Sequence, residues 1–394
     1  MSGALDGVRV LELSRYIAAP VAGKALGELG ADVIKIEDPD KGDPMRYWQS
    51  GDRAHSPQFA AYNRTKRAIT LDLKSERGRD VFLRLADEAD VVLENFRPGV
   101  MDRLGLGWDV LSARNPGLVY CAISGFGDVG PYVDRPAYDT VISAMGGLYS
   151  QILDPEKPQP MGPAFSDLLA GTFAVQAVLA ALYARTRTGR GQFADASMLR
   201  AVMGFLVEPG SNRLDMGEVT LPSTRQRRAQ AYGLIASDGL SFVVHMSVPE
   251  KFWIATTDAF AVPGLRDDPR FSDRDARHDN YDDLAVELRK AAMRRTREEW
   301  FELLVAADIP HAPINGFDRI FDDPQVQAMG IVESIEMPDG ERPLRQVGPP
   351  FRLSDTPLRV SPPAPNHGEH TDQVLAGLGI PADEIAAMRT DGVI

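Results

Sequence analysis

The spacing of apolar and polar positions along the first 125 residues predicts strands and helices by turns. Residues 8–13 form a short apolar run, followed by Pro20 and an apolar helical stripe that stops at Gly30. Residues 33–36 and 68–73 read as the second and third strands, and 75–88 carry apolar positions at helical spacing on a charged background. Residues 91–93 and 118–123 are the fourth and fifth strands. Strands that alternate with helices imply an α/β fold with a parallel sheet covered on both faces. In such sheets ligands bind at the loops after the strand ends. Those loops are Ser14-Arg15-Tyr16-Ile17-Ala18, Glu94-Asn95-Phe96-Arg97-Pro98-Gly99 and Ser124-Gly125-Phe126-Gly127.

A different pattern follows. From 168 to 183 only Thr172 and Gln176 are clearly polar, and a helix apolar nearly all round belongs in a core. Gly162-Pro163-Ala164-Phe165-Ser166-Asp167 leads into it and sets one carboxylate at the mouth of a buried element. Two roles are open on these residues: Ser166 or Asp167 caps the helix, or Asp167 reacts with something held in a cleft. Arg187-Thr188-Gly189-Arg190-Gly191 stops the helix, and a strand and a further helix run to about 206. Pro209, Gly210, Pro222 and the cluster Arg225, Arg227, Arg228 mark 208–230 as a linker. A second block, 231–330, opens with a strand at 241–245 and continues with charged helices such as 296–305. Prolines at 349–350 and 362–365 mark another irregular connection, and 371–389 reads as two short helices. The expected organisation is a large domain from 1–207 completed by 351–394, a smaller α+β domain at 231–330, and linkers at 208–230 and 331–350.

Composition narrows the function classes. The 394 residues exceed one ordinary core, so two domains are the default. A net charge of −13 argues against nucleic acid as a partner. No apolar run reads as long and clean enough to span a bilayer; 168–183 comes nearest and is followed by Arg185, Arg187 and Arg190. The first ten residues carry an acid and no signal-peptide core. The single cysteine, Cys121, excludes an intrachain disulfide, fits a reducing cytoplasm, and sits in a strand pattern as a core residue.

Several chemistries drop out. The first strand is not followed by GxGxxG, which disfavours a dinucleotide dehydrogenase, and neither a GxxxxGK[ST] phosphate loop nor a GxSxG elbow is present. His367 and His370 are close in sequence, but they lead into a helix where polar groups cap, and no metal site is expected. His55, His245, His278 and His311 have no context that promotes them. Lys35-Ile36-Glu37 and Arg64-Thr65-Lys66-Arg67 read on their own as solvated surface charge. With Lys74, Arg97 and Arg103 after elements of the same sheet, the alternative is a set of cations that neutralises a polyanionic ligand.

Taken in order, these pieces resemble the class III CoA-transferase family, transferase branch, over essentially the whole chain. The resemblance is carried by residues 5–13, Gly30-Ala31-Asp32-Val33-Ile34-Lys35-Ile36-Glu37, Asn63-Arg64-Thr65-Lys66-Arg67 and residues 94–99. It continues through Arg135-Pro136-Ala137-Tyr138-Asp139, residues 162–171, Asp268-Pro269-Arg270-Phe271, Asp322-Asp323-Pro324-Gln325-Val326 and Gly368-Glu369-His370-Thr371. It implies a large Rossmann-like domain, a small domain, and a homodimer of two chains threaded through each other like linked rings. It implies Asp167 as the nucleophile that moves CoA between a CoA thioester and a free carboxylic acid, through a mixed anhydride and an aspartyl-CoA thioester. An ordinary aspartate is ionised at neutral pH and attacks without a base. CoA or acyl-CoA is then a substrate, with no permanently bound cofactor. The resemblance places Arg15, Tyr16 and Ala18 at the nucleotide, Leu71 and Lys74 around the adenine and its phosphates, and Asn95, Phe96, Arg97, Val100 and Arg103 at the pantetheine and pyrophosphate. It sets Tyr138 and Met198 at the reaction site.

Departures from the family pattern refine this. Asp38 stands where some members have a basic residue near the nucleotide. Formyl-CoA transferases carry a lysine around Ser124 and a run of glycines over the site; here 224–233 is arginine-rich and contains only Gly233, so formyl and oxalate substrates are not expected. Arg225, Arg227 and Arg228 are instead candidates to meet a dicarboxylate acceptor. The alternative activities are an acyl-CoA racemase, whose histidine and glutamate fall at Tyr138 and near Pro249, and an intramolecular CoA transfer.

Overall fold

The structure is a computed structural model that describes residues 3–48, 56–154, 156–247, 249–337 and 343–394. It contains two compact units. One comprises Met1–Tyr149, Lys157–Leu214 and Gly330–Ile394, the other Ser150–Glu156 and Asp215–Met329.

The large unit is built on six strands: β1 (Arg9–Leu13), β2 (Asp32–Glu37), β3 (Lys66–Thr70), β4 (Val91–Glu94), β5 (Val119–Ala122) and β6 (Phe193–Asp195). All pair in parallel, in the order β3-β2-β1-β4-β5-β6. The helices along this part of the chain are α1 (Ala18–Glu28), α2 (Pro57–Asn63), α3 (Glu76–Asp87), α4 (Val100–Arg103), α5 (Trp108–Arg114), α6 (Asp139–Met145), α7 (Leu148–Ile152, which runs from the large unit into residues of the small one), α8 (Phe165–Thr188) and α9 (Met198–Phe205). The near-continuous apolar strands follow from burial on both faces. Val10, Val33, Val91 and Val119 join a core with α1, α8 and α9, while Leu11, Ile34, Ile69 and Val92 join another with α3 and the late residues Val374, Leu375 and Met388. The late segment closes on the β3 side of the sheet, where His370 N–H donates to the Ala68 carbonyl at 2.9 Å and Asp72 N–H donates to the Val393 carbonyl at 2.8 Å.

α8 begins three residues earlier and ends five later than the sequence reading, at Gly189, whose φ of 68° forms a left-handed stop. At its full extent it is long and apolar enough, by length and composition, to cross a membrane, which corrects the expectation that no run reaches that threshold. Here its Ala170, Ala174 and Val178 are fully buried in the core shared with α1. The packing is close because both helices offer small residues. A methyl group added at Gly171 would lie 2.5 Å from the Ala18 carbonyl oxygen and 3.0 Å from Val21. Gly171→Ala is therefore expected to destabilise the protein by about 1–3 kcal/mol through overpacking, seen as a lower urea midpoint with an unchanged slope. An unchanged midpoint would mean that α1 yields without cost.

The charges read as surface features lie inside. Lys35, Lys66, Glu12, Arg46 and Arg64 are almost wholly buried. Lys35 Nζ meets Glu12 at 3.3 Å and Asp43 at 3.1 Å, and Lys66 Nζ meets the other Glu12 oxygen at 2.8 Å. Arg46 pairs with Glu37 at 2.5 Å, and Arg64 pairs with Glu28. Burial lowers the Lys66 ammonium to about 8, against the pull of Glu12. For Lys35 burial also lowers the pKa, but Asp43 and Glu12 together outweigh it and hold the ammonium above its usual value. Strand-end position predicted exposure; the chain instead matched each cation to a buried carboxylate, as burial of charge requires.

The small unit is α+β. Strands β7 (Ala231–Ile235), β8 (Ser241–His245) and β9 (His311–Pro313) form an antiparallel sheet. Helices Glu250–Ala259, Tyr281–Ala292 and Arg297–Ala306 contribute to its core, where Phe260 stacks on Trp300 at 4.4 Å. Between 208 and 230 the chain forms helices Val207–Met216 and Thr224–Ala229. Between 331 and 350 it forms an antiparallel ribbon of β10 (Val332–Ile335) and β11 (Leu344–Val347), with 338–342 outside the described residues.

Candidate functional site

β1 and β4 are neighbours at the point where the strand order reverses, the place where open α/β sheets bind ligands. The loops after them are tied by a reciprocal clamp. Arg15 N–H donates to Asn95 Oδ1 at 3.0 Å, and Asn95 Nδ2 donates to the Arg15 carbonyl at 2.9 Å. Tyr16 holds φ at 64°, in a region costly for a residue with a side chain. Its N–H donates to Asp43 Oδ1 at 3.2 Å, so the strained loop stands on the buried Lys35–Asp43 pair. The second loop is held by Glu94, whose Oε2 accepts the Phe96 N–H at 2.7 Å. Burial pushes that carboxyl up to about 8 although the Phe96 amide and Tyr120 hydroxyl hold it down.

A cleft of about 300 Å³ opens between these loops and the start of α8. Arg15, Tyr16, Ala18, Asn95, Phe96, Arg97, Tyr138 and Met198 line it together with Asp167, so nine of the thirteen sequence-predicted site residues meet there. Tyr16 and Tyr138 stand edge to face with ring centroids 6.1 Å apart. Burial, followed by Tyr138, raises the Tyr16 hydroxyl above its usual range. A second cleft of about 350 Å³ is lined by Arg15, Leu71, Lys74, Phe96 and Val100. Arg15 and Phe96 border both. Arg103 lines neither; its guanidinium lies beside Gly99, where α4 begins.

Asp167 does not cap its own helix, and neither does Ser166. The cap comes from Asp139 at the start of α6. Its Oδ1 accepts the Ser166 N–H at 2.7 Å, the Ser166 hydroxyl at 2.8 Å and the Asp167 N–H at 3.3 Å. Its carbonyl accepts the Ser166 hydroxyl at 2.9 Å. The Asp167 carboxylate accepts no hydrogen bond among the described residues. Burial, and after it the neighbouring Asp139 charge, push the Asp167 carboxyl up to about 7. The expectation of an ordinary, fully ionised aspartate is corrected accordingly: near neutrality this group divides between acid and carboxylate.

Other candidates separate from the cleft. Arg227 pairs with Asp282 at 2.5 Å and Arg228 with Glu218 at 2.8 Å, within the small unit. Two of the three clustered arginines thus already face acids of their own unit. Cys121 is fully buried and burial pushes its thiol up to about 12, a core residue. His370 Nδ1 accepts the Ala68 N–H at 3.3 Å, and His367 Nε2 is bonded to the Asp38 carbonyl at 3.0 Å. His55 lies outside the described residues. Asp38 borders the second cleft and turns inward on the chain, its Oδ1 accepting the Asp40 and Lys41 amides at 3.1 Å each.

The sequence reading missed four residues. Lys41 borders the second cleft beside Lys74, Arg135 borders the first, Asp43 supports Tyr16, and Asp139 caps α8. Asp139 and Arg135 stood inside a recognised motif; an acid four residues after an arginine gives no sign of which distant helix it caps. Chemically, the first cleft offers a carboxylate free to attack an electrophile, and the second offers cations at the loops after β2 and β3 for a phosphate-bearing ligand.

The family described as CoA-transferase family III matches the chain over residues 5–371. An acyl-CoA transferase of Fusarium pseudograminearum is 34% identical over 406 residues, covering 100% of this chain and 88% of that protein. The succinate–glutarate CoA-transferase of Agrobacterium fabrum is 35% identical over 389 residues, covering 95% of each. Among solved structures, a CAIB/BAIF family protein from Brucella suis superposes with a TM-score of 0.84 at 35% identity, covering 96% of this chain and 100% of that one.

Proposed function

The chain belongs to CoA-transferase family III, and we propose that it exchanges CoA between carboxylic acids through covalent catalysis by Asp167. It is a CoA-transferase, and CoA thioesters are its substrates. In the proposed route a carboxylate oxygen of Asp167 attacks the thioester carbonyl and the C–S bond breaks, giving a mixed anhydride and CoA thiolate. The thiolate attacks the Asp167 carbonyl of the anhydride, releases the donor acid, and leaves an aspartyl-CoA thioester. The acceptor carboxylate then attacks that thioester. CoA thiolate leaves, attacks the acceptor's acyl carbonyl, and returns Asp167 to its starting state. No proton is gained or lost over the cycle. The observation that carries the reading is Asp167 itself, a carboxylate at the mouth of a buried helix whose nearest amides are bonded elsewhere.

Arg15, Lys41 and Lys74 are the proposed phosphate partners, Leu71 flanks the adenine, and Asn95, Phe96, Arg97, Val100 and Arg103 hold the pantetheine and pyrophosphate. Tyr138 and Met198 wall the reacting end, and Tyr16 and Ala18, expected from the sequence at the nucleotide, are proposed to join them because they line the cleft that holds Asp167. A dicarboxylic acid is the proposed acceptor class. Arg97 and Arg135 border the first cleft with no acidic partner among the described residues, and the Agrobacterium relative is named for succinate and glutarate. A homodimer is proposed because Tyr183 of α8, and Met203, Phe205 and Val207 along and just after α9, are more than half exposed, apolar side chains that a second copy would cover. The linked-ring form predicts that dilution separates the chains only on unfolding. A cytoplasmic location accords with the lone buried thiol.

Intact-protein mass tests the route. After mixing with a panel of acyl-CoA donors that includes succinyl-CoA, an adduct is expected at Asp167, cleared by added dicarboxylate and by hydroxylamine. No adduct with any donor, together with solvent deuterium entering the α-position of the acyl group, would replace the reading with the isomerase.

The raised carboxyl sets a pH dependence. Only the carboxylate attacks, so kcat/KM rises with pH through about 7 and levels off above it. At pH 5.5 it is expected to be about 30-fold below the plateau, because kcat/KM follows ionisation of the free enzyme. A profile flat down to pH 5 would contradict the assignment of Asp167.

A further inference from the structure

Asp167 occupies the third position of α8, counting from Ala164 as its cap residue. In a capping box an acid there folds back onto the cap residue's amide. This chain does so elsewhere: Glu299, three residues after Thr296, accepts the Thr296 N–H at 2.8 Å. At α8 the side chain of Ala164 caps nothing, the Phe165 N–H is bonded to the Pro163 carbonyl at 2.7 Å, and Asp139 takes the Ser166 and Asp167 amides. Asp139 therefore holds the two amides of the first turn nearest to the Asp167 carboxylate, and not the Ala164 amide that a capping box would use.

We infer that Asp139 is the positioning residue of the transfer reaction: by binding the first amides of α8 from the neighbouring helix, it keeps the Asp167 carboxylate unbonded and facing the cleft. The inference rests on Asp167 as the nucleophile. Its chemical sense is that a carboxylate holding amide bonds has lower basicity and must give those bonds up to attack, while one held free does not. Asp139 follows Tyr138, a wall of the same cleft, so the residue that holds α8 also fixes where that wall begins.

The surroundings leave Asp139 as the charge that matters here. Tyr62 of α2 has its hydroxyl raised by burial and then by Asp167. Arg15, Tyr16, Arg97, Arg135 and Tyr138 border the cleft. On α1, Lys24 and Glu28 pair with each other at 3.0 Å, and on α9 Arg200 pairs with Asp195 of β6 at 3.1 Å. Asp139 is the neighbour whose charge raises Asp167.

Two variants separate positioning from mere support. Asp139→Ala frees the amides, and Asp167 is expected to fold back onto them. kcat should fall roughly 10- to 100-fold with KM for acyl-CoA changed less than about threefold, and the acid limb of kcat/KM should move to lower pH. Asp139→Asn keeps the accepting oxygen and removes the charge; kcat should stay within about threefold while the limb moves down by about half a unit. Wild-type kcat in Asp139→Ala, or an unmoved limb in Asp139→Asn, overturns the inference. If Asp139→Ala does not fold, the limb of Asp139→Asn decides. The Asp167 adduct in the wild type is read alongside. Its absence there removes Asp167 as nucleophile, whereas its presence with unaltered Asp139 variants removes only the role of Asp139.

Discussion

Asp167→Asn is expected to lose roughly 10⁴-fold or more of CoA-transfer activity and at the same time to become more stable above pH 7. The loss follows from the mechanism, because an amide offers no anionic oxygen to form the anhydride. The gain follows from the position of the group. Its carboxyl is raised from an ordinary aspartate value to about 7 by burial first and the Asp139 charge second. Such a group ionises in the unfolded chain before it does in the folded one. Below about 3.8 both states are protonated and the charge costs nothing; across the window from there to about 7 the folded state becomes progressively less favoured; above it the whole cost is present. Three pKa units would correspond to at most about 4 kcal/mol, so a gain of a few kcal/mol at pH 8 that shrinks toward pH 4 is expected in urea titrations. An inactive variant with unchanged stability at pH 8 would show that the carboxylate is well solvated in the folded protein. Retained activity would remove Asp167 from the reaction.

Glu12→Gln is expected to be the most damaging single change away from the cleft. Glu12 is the shared partner of Lys35 and Lys66, and all three are fully buried. With Asp43 they make a neutral set of two ammonium and two carboxylate groups. Removing one charge leaves an uncompensated cation in the interior, typically about 3–5 kcal/mol, a large part of the total stability of an ordinary domain. Replacing both partners should hurt less than replacing one. The double variant Glu12→Gln/Lys66→Met restores neutrality and is expected to recover at least about 1 kcal/mol of the loss in a double-mutant cycle. Strict additivity would mean that water reaches the cluster. The loss should reach the cleft as well, because Lys35 orients Asp43, and Asp43 holds the Tyr16 amide.

The strands and the loops that line the clefts were legible because two-sided burial writes apolar runs directly into the chain. The strand read at 241–245 is β8, and the pair of helices read in the tail is present as Thr371–Gly377 and Ala382–Thr390. Asp167 was legible because a lone acid ahead of an apolar helix is conspicuous. Its protonation was not legible, since that depends first on burial in the folded chain and then on the charge of Asp139, 28 residues earlier. The interior charges were hidden for a related reason. Glu12 sits in an apolar strand, and the residues that justify it lie on β2 and β3. Even the glycine that makes room for it is uninformative alone: a methyl group at Gly23 of α1 would fall 1.6 Å from a Glu12 oxygen.

The large unit is assembled from three stretches of chain, and nearly all of the small unit, Asp215–Met329, is spelled out between the second and the third. On a ribosome that order matters. β1 to β6 emerge early, yet the face covered by Val374, Leu375 and Met388 waits until the whole small unit has been synthesised. At ordinary elongation rates the wait is on the order of ten to forty seconds, long enough for a half-covered sheet to meet a chaperone or another nascent chain. Nascent chains arrested at residue 330 are expected to be cut by added protease around β3, where released full-length chains resist; equal resistance would show that the sheet closes without its last stretch.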